Sequence, residues 1–102
     1  EASQTAPCYK LFALAGGPPS RPALLRDAGG QAIDVEVWRL PVETVGSFLA
    51  GIPAPLGLGQ VELASGRWAC GFICTAGALN ESGTARDITE FGSWRKWLAS
   101  HA

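Results

Sequence analysis

Few residues of this chain are of types that carry out covalent chemistry or hold metals. There are three cysteines, Cys8, Cys70 and Cys74, and one histidine, His101, one residue from the end. Cys8 could act as a nucleophile, but a thiol needs a base to activate it and none is evident. A Ser-His-Asp arrangement would depend on a terminal histidine. No CxxC pair and no His/Asp/Glu cluster has metal-ligand spacing, so no metal and no cofactor is expected. Gly16-Gly17 and Gly29-Gly30 lack the spacing and the following helix of a phosphate loop. Cys70 and Cys74 are four apart in a strand-like stretch, about 13 Å at ~3.3 Å per residue. That is too far for a disulfide, so free thiols in a reducing compartment are expected. Glu36 could be a carboxylate facing a cavity; an exposed position on a solvated face is the commoner place for such a residue.

The most distinctive stretch is instead Gly46–Gly59, GSFLAGIPAPLGLG, with two prolines and four glycines in an apolar setting. Pro53 and Pro55 fix their own φ and push the residues before them into extended conformations, so the segment from Ile52 to Pro55 should be stiff. Gly57 and Gly59 permit a close backbone approach or a positive φ. The stretch reads as the end of a helix, a rigid bridge and the entry to a strand. As a bare connector it would carry no chemistry. As the wall of a pocket it would bring Ile52, Pro53, Pro55, Leu56 and Gly57 beside Tyr9.

The chain has 102 residues, 47% of them hydrophobic and 17% charged, with a net charge of −1. One domain with one modest core fits that length. No block of like charge marks a nucleic-acid or polybasic membrane surface. No apolar run reaches the roughly 18–20 residues of a membrane span. Neither nucleic acid nor membrane is expected as a partner. The chain begins at Glu1 and contains no methionine, so it is expected to be a piece of something longer or a trimmed product.

Elements must position these residues. Ala6–Leu14 reads as a strand apolar on both faces apart from Lys10, as if covered on two sides. A loop follows at Gly16–Pro22, then a short strand at Ala23–Arg26 and a turn at Asp27–Gly30. Ala32–Leu40 alternates, with Ile33, Val35 and Val37 on one face and Asp34, Glu36 and Trp38 on the other. Pro41 suits the first position of a helix over Val42–Ala50, with Glu43 near its positive end and Gly51 ending it in a left-handed conformation. Gly59–Leu63 and Arg67–Cys74 form a hairpin. A two-residue Ser65-Gly66 turn would set Leu63 opposite Trp68 and Val61 opposite Cys70. Thr75–Asp87 reads as a long loop with at most one helical turn. Thr89 caps a second helix to Ser100, with Phe91, Trp94 and Leu98 on one face, Trp97 flanking it and Gly92 weakening its first turn. The tryptophans read as anchors onto the sheet rather than a ligand cage.

Five co-linear segments resemble the C-terminal domain of allophanate hydrolase. Thr5–Leu14 (TAPCYKLFAL) is similar to that family's TAPxYRLYAL, and Ile33–Pro41 (IDVEVWRLP) to IEVEVWxLP. Gly46–Gly59 is similar to GSFxxxIPAPLGIG, Gly71–Cys74 to GFxC, and Asp87–Arg95 (DITEFGSWR) to DITxFGGWR.

The resemblance implies an α+β fold of gamma-glutamylcyclotransferase-like type, a small, mostly antiparallel β-barrel with two flanking helices. It implies a cytoplasmic protein of urea and allophanate breakdown to ammonia and carbon dioxide. In this family an amidase-signature domain with a Ser-Ser-Lys triad releases ammonia, and the C-terminal domain handles the product. Some members use a histidine in a GAHLxGxPLN loop. This sequence has no such loop, which would lie before Glu1, and the cyclotransferase glutamate is not evident in Phe48–Pro55. The 102 residues are therefore expected to be inactive alone, as a truncated domain or one that has lost the site. Implied partners are the amidase domain of the same enzyme and a second copy of the chain, joined through an unpaired edge beside Ala6–Leu14 or through apolar surface that the missing segment leaves bare. The alternative is a non-catalytic interaction domain that assembles oligomers or docks on the amidase.

Overall fold

The computed structural model describes residues 1–14, 21–51, 56–77 and 85–101, the side chain of residue 101 excepted. Its strands are β1 (Ala2–Gln4), β2 (Tyr9–Leu14), β3 (Arg21–Arg26), β4 (Asp34–Glu36), β5 (Gly57–Glu62), β6 (Trp68–Ile73) and β7 (Ala85–Asp87). The helices are α1 (Val45–Ala50), preceded by a 3-10 turn at Val42–Thr44, and α2 (Trp94–His101), preceded by a 3-10 turn at Thr89–Phe91. Five strands form one sheet in the order β5-β6-β3-β2-β7, and β1 pairs with β4 in a second, small sheet. All pairings are antiparallel except that of β3 with β6.

The apolar character of β2 on both faces has a direct structural counterpart. Tyr9, Leu11 and Ala13 pack with Ile33, Val61 and Ile88 on one side. Leu14, with Phe12 beside it, packs with Ala23 and Cys74 on the other. Burying an aliphatic side chain such as Ile33 or Ile88 contributes roughly 1.5–3 kcal/mol, so these two layers hold the sheet. The expected unpaired edge beside β2 does not exist, because β3 and β7 flank it on either side.

The strands do not close into a barrel among the described residues. Isolated bridges, Thr5 with Leu63 and Tyr9 with Gln31, link the flanks of the small sheet to the large one, and a third, Asp34 with Ser93, ties β4 to the start of α2. The strands that would have to complete a ring, β1, β4 and β7, are three residues each. The alternation at Ala32–Leu40 gives the right faces but too long a strand. Ile33 is buried and Trp38 is 73% exposed, yet the ladder lasts only where β1 lies alongside, Ala2 opposite Glu36 to Gln4 opposite Asp34.

The first helix is shorter than its apolar spacing suggests and buries none of its residues. Gly51 ends it with φ −86°, not in the left-handed region. A six-residue helix cannot sustain itself in water. Its ring contact with the sheet, Phe48 to Phe72 at 5.6 Å, is worth only about 0.5–1.5 kcal/mol beyond burial.

The second helix starts later than Thr89, because Gly92 takes φ +65° and breaks the run. Ser93 caps it instead, its Oγ accepting from the Lys96 N–H at 3.4 Å. Trp94 and Trp97 stack at 5.0 Å and pack on the core. Leu98 is 42% exposed, so the buried face runs through Trp97 rather than Leu98. The loop expected up to Asp87 ends early, where β7 pairs with β2.

The hairpin forms one residue out of the expected register. Glu62 lies opposite Trp68 and Val61 opposite Ala69. Its loop has three residues, Ala64–Gly66, with Gly66 at φ +90° and the Leu63 N–H donating to the Arg67 carbonyl at 2.8 Å. This is the three-residue connection in which glycine takes the left-handed position. A one-residue slip moves every side chain to the other face. Val61 and Leu63 therefore stay in the core, while Trp68 and Cys70 are exposed.

Two glycines test this packing. A Cβ on Gly30 would lie 2.3 Å from the Tyr9 carbonyl oxygen, which is backbone and cannot step aside. Gly57, by contrast, has open space and no positive φ, so it uses neither the close approach nor the positive φ that a glycine there permits. Gly30→Ala should lose about 1–3 kcal/mol and Gly57→Ala much less, as read from the midpoints of urea denaturation.

Candidate functional site

The site is built where β2, β3 and β5 meet. Tyr9 opens β2 and lies directly opposite Arg26, the last residue of β3. The neighbouring Asp27 N–H donates to the Cys8 carbonyl at 2.9 Å. The Tyr9–Arg26 pair is therefore of the non-hydrogen-bonded kind, in which facing side chains lie closest. The Arg26 guanidinium sits over the Tyr9 ring at 5.6 Å and the Trp68 ring at 5.3 Å. It donates to Glu62 Oε1 at 2.9 Å and to the Tyr9 hydroxyl at 3.2 Å. The hydrogen bond to Glu62, and then that to Tyr9, raise the Arg26 pKa above its already high ordinary value. The cation is fixed in position and in charge.

The Tyr9 hydroxyl also accepts the backbone N–H of Glu62 at 2.9 Å. Around it, the Ala6 N–H donates to the Glu62 carbonyl at 2.9 Å and the Ala64 N–H to the Gln4 carbonyl at 2.8 Å. The phenol oxygen thus stands where a strand carbonyl would and continues the pairing that docks the end of β5 onto residues 4–9. Tyr9 is 1% exposed, so a hydroxyl left without partners would cost about 1–3 kcal/mol.

Beside this cluster is an open-sided cavity of about 400 Å³, lined by Tyr9, Leu25, Arg26, Gln60, Ile73, Cys74, Thr75 and Ala76. That volume lies within the roughly 300–1,000 Å³ of small-molecule sites. Gln60 reaches its strand partner Cys70, Nε2 to Sγ at 3.4 Å. The Cys74 thiol faces the Leu24 carbonyl at 3.6 Å, and burial raises its pKa. No group of His, Cys, Asp and Glu that could hold a metal exists among the described residues.

Of the residues expected to wall a pocket, Tyr9 lines this cavity. Gly57 opens β5 opposite Ile73, another lining residue. Leu56 is not among the lining residues but is half-buried against the Leu14, Ala23 and Cys74 cluster, of which Cys74 lines the cavity. Ile52, Pro53 and Pro55 lie outside the described residues. Glu36 is on the surface, paired with Arg95 at 2.6 Å. Arg26, Glu62 and Trp68 escaped the sequence reading. The available signal was Gly66, whose place at the end of a three-residue loop sets Glu62 beside Trp68.

The geometry defines a small α+β domain with mixed sheets and a charge-balanced polar cluster at the edge of a cavity. The chain belongs to the allophanate hydrolase C-terminal domain family, which it matches over residues 1–99. It is 42% identical to urea amidolyase of Saccharomyces cerevisiae over 99 residues, covering 94% of this chain and 5% of that one. Urea amidolyase of Lachancea kluyveri is 41% identical, with 93% and 5% covered. Among solved structures, an allophanate hydrolase of Kluyveromyces lactis superposes with a TM-score of 0.86 at 40% identity, over 96% of this chain and 16% of that one. A uropathogenic E. coli-specific protein superposes at 0.82 with 31% identity, over 97% and 74%. The chain thus spans about a twentieth of the length of the urea amidolyases it matches.

The thiols give a pH-dependent test. Because the folded-state pKa of Cys74 is raised by burial, its stabilising effect is fully present below the unfolded thiol's pKa and fades as pH rises through the folded value. Denaturation midpoints should fall on the alkaline side, and Cys74→Ala should flatten that slope. Exposed Cys70 should react with iodoacetamide well before Cys74, as peptide mass mapping over time would show.

Proposed function

We propose that this chain serves as the C-terminal domain of an allophanate hydrolase, handling the product of the amidase step in the breakdown of urea and allophanate to ammonia and carbon dioxide. The supporting observation is the scale of the match. The family pattern runs along nearly the whole chain, yet the chain covers only 16% of the Kluyveromyces lactis allophanate hydrolase. The amidase domain of the same enzyme is the proposed partner, and the cytoplasm the proposed location. No helix among the described residues is long and apolar enough to cross a membrane. A gamma-glutamylcyclotransferase-like arrangement, with Tyr9, Ile52, Pro53, Pro55, Leu56 and Gly57 walling the product pocket, belongs to the same proposal.

The chemistry present argues against turnover by these residues alone. Tyr9, Arg26 and Glu62 can orient a polar group, but Arg26 and Glu62 neutralise one another. No base stands free of a partner in that cluster. A second reading, an interaction domain that joins copies or docks on the amidase, is favoured by a different observation. Trp38, Leu40, Val42, Phe48 and Leu49 are all 45% exposed or more within a short segment. Such apolar surface commonly marks an interface.

The isolated chain should release no ammonia from allophanate above a heat-killed control. Ammonia from a preparation free of longer enzyme would contradict the proposal.

A further inference from the structure

We infer that the open edge of β5 is a self-pairing seam, along which a second copy of this chain adds strand to strand about a two-fold axis at Gly59. The inference rests on the reading of the chain as a domain that joins copies, and names the surface that does so. In an antiparallel ladder, successive residues turn their N–H and C=O alternately toward the partner strand and away from it. The phase on β5 is fixed at its end. The Glu62 N–H goes to the Tyr9 hydroxyl and its C=O accepts from Ala6, both away from β6, while the Leu63 N–H goes to Arg67. Gln60 and Leu58, opposite Cys70 and Phe72, are in phase with Glu62 and also turn their main-chain groups away from β6. Residues 4–6 cover this side of the strand only from Glu62 to Ala64. The chain then turns back at Cys8, whose N–H bonds to the Ala6 carbonyl at 2.8 Å. Among the described residues, no hydrogen bond reaches the outward main chain of Leu58 or Gln60, and both residues are exposed.

Charge selects the occupant. Sheet edges normally block pairing with charges, proline, bulges or short length. The opposite edge of this sheet, β7, is three residues long and includes Arg86 and Asp87. β5 has six residues, and the sequence carries no charge from Val45 to Val61. Its one charge, Glu62, stands where residues 4–6 already cover the edge. Close to a two-fold axis a residue meets its own counterpart, so a charged seam would repel itself and this neutral one does not. With Gly59 on the axis, Leu58 of each copy lies opposite Gln60 of the other. Each such pair exchanges two hydrogen bonds, and every outward group of both residues is used. The axis position itself carries no side chain to obstruct the approach. Leu58, 36% exposed, shares a face with Phe72, against which Phe48 lies at 5.6 Å. The two copies of Leu58 would meet diagonally across the axis and extend that apolar cluster from one chain to the next.

Sedimentation equilibrium of the 102-residue chain should show a monomer–dimer equilibrium with a Kd on the order of 100 µM, weak because the interface is small. At matched concentrations, hydrogen exchange of the Leu58 and Gln60 amides should slow several-fold as concentration rises through that value. The Gly59 and Val61 amides, held by β6, should stay protected throughout. Leu58→Lys puts a charge beside the axis. Gln60→Pro removes an N–H that β6 does not use, and with both copies changed it removes two hydrogen bonds. Each variant should weaken the dimer about tenfold or more, and Val42→Lys, on the apolar flank, should leave it unchanged. A chain still monomeric about tenfold above that concentration would contradict both the inference and the joining of copies. A dimer that survives Leu58→Lys and Gln60→Pro, one that Val42→Lys breaks, or one in which the Leu58 and Gln60 amides exchange alike at every concentration would overturn the inference alone. The exchange measurement on the parent chain decides the matter even if the edge variants prove unfolded.

Discussion

The Tyr9 hydroxyl is the point on which the packing of three strands converges. A buried phenol is tolerable only when its oxygen is partnered. Here the partners are the main chain of β5 and the side chain at the end of β3. The same contact does two structural jobs. It satisfies the backbone N–H of Glu62, which points away from β6 while the next N–H, that of Leu63, bonds to Arg67, and it places the Arg26 cation over two aromatic rings. Gly30 belongs to this constraint too, because only a residue without a Cβ can lie against the Tyr9 main chain. The Gln31 N–H then reaches the Tyr9 carbonyl at 2.9 Å.

The Arg26–Glu62 pair is half in solvent, and exposed pairs contribute little stability. Its importance is placement. With Trp68 and Tyr9 on either side, the guanidinium has few alternative positions, so the cavity keeps a fixed, electrically neutral rim. The opposite character prevails around α1. There the helix buries nothing, and the exposed Trp38, Val42 and Phe48 give the molecule a soft apolar side. The domain thus carries a charge-paired polar rim on one part of its surface and an exposed apolar flank on another.

Much of this was legible in the sequence where the signal was local. The two-faced apolar run of β2, the faces of Ile33 and Trp38, and the order of β2 to β6 with the two helices follow from periodicity, whereas β1 and β7, three residues each, leave no such signal. The five family-like segments led directly to the family. What periodicity could not supply was pairing. Whether Ala64–Gly66 makes a two- or a three-residue loop changes the register by one. That single residue decides whether Trp68 joins the core or the Arg26 cluster. Strand length failed for a related reason. Ala32–Leu40 alternates along its length, but hydrogen bonding needs a neighbour, and β1 supplies one for three residues. The cap at Thr89 is also decided by tertiary contacts. Thr89 Oγ1 is taken by the Leu11 N–H at 3.0 Å and Asp87 at 2.5 Å, leaving the cap to Ser93.

The central claim is that the Tyr9 hydroxyl carries the end of β5. Amide hydrogen exchange at Glu62 measures this directly, with the Ile88 amide, bonded to the Leu11 carbonyl at 2.8 Å, as the core reference. In the parent chain the Glu62 amide should exchange nearly as slowly as Ile88. In Tyr9→Phe its protection should collapse while that of Ile88 persists. A Glu62 amide that exchanges in the parent as fast as an exposed loop amide would contradict the account.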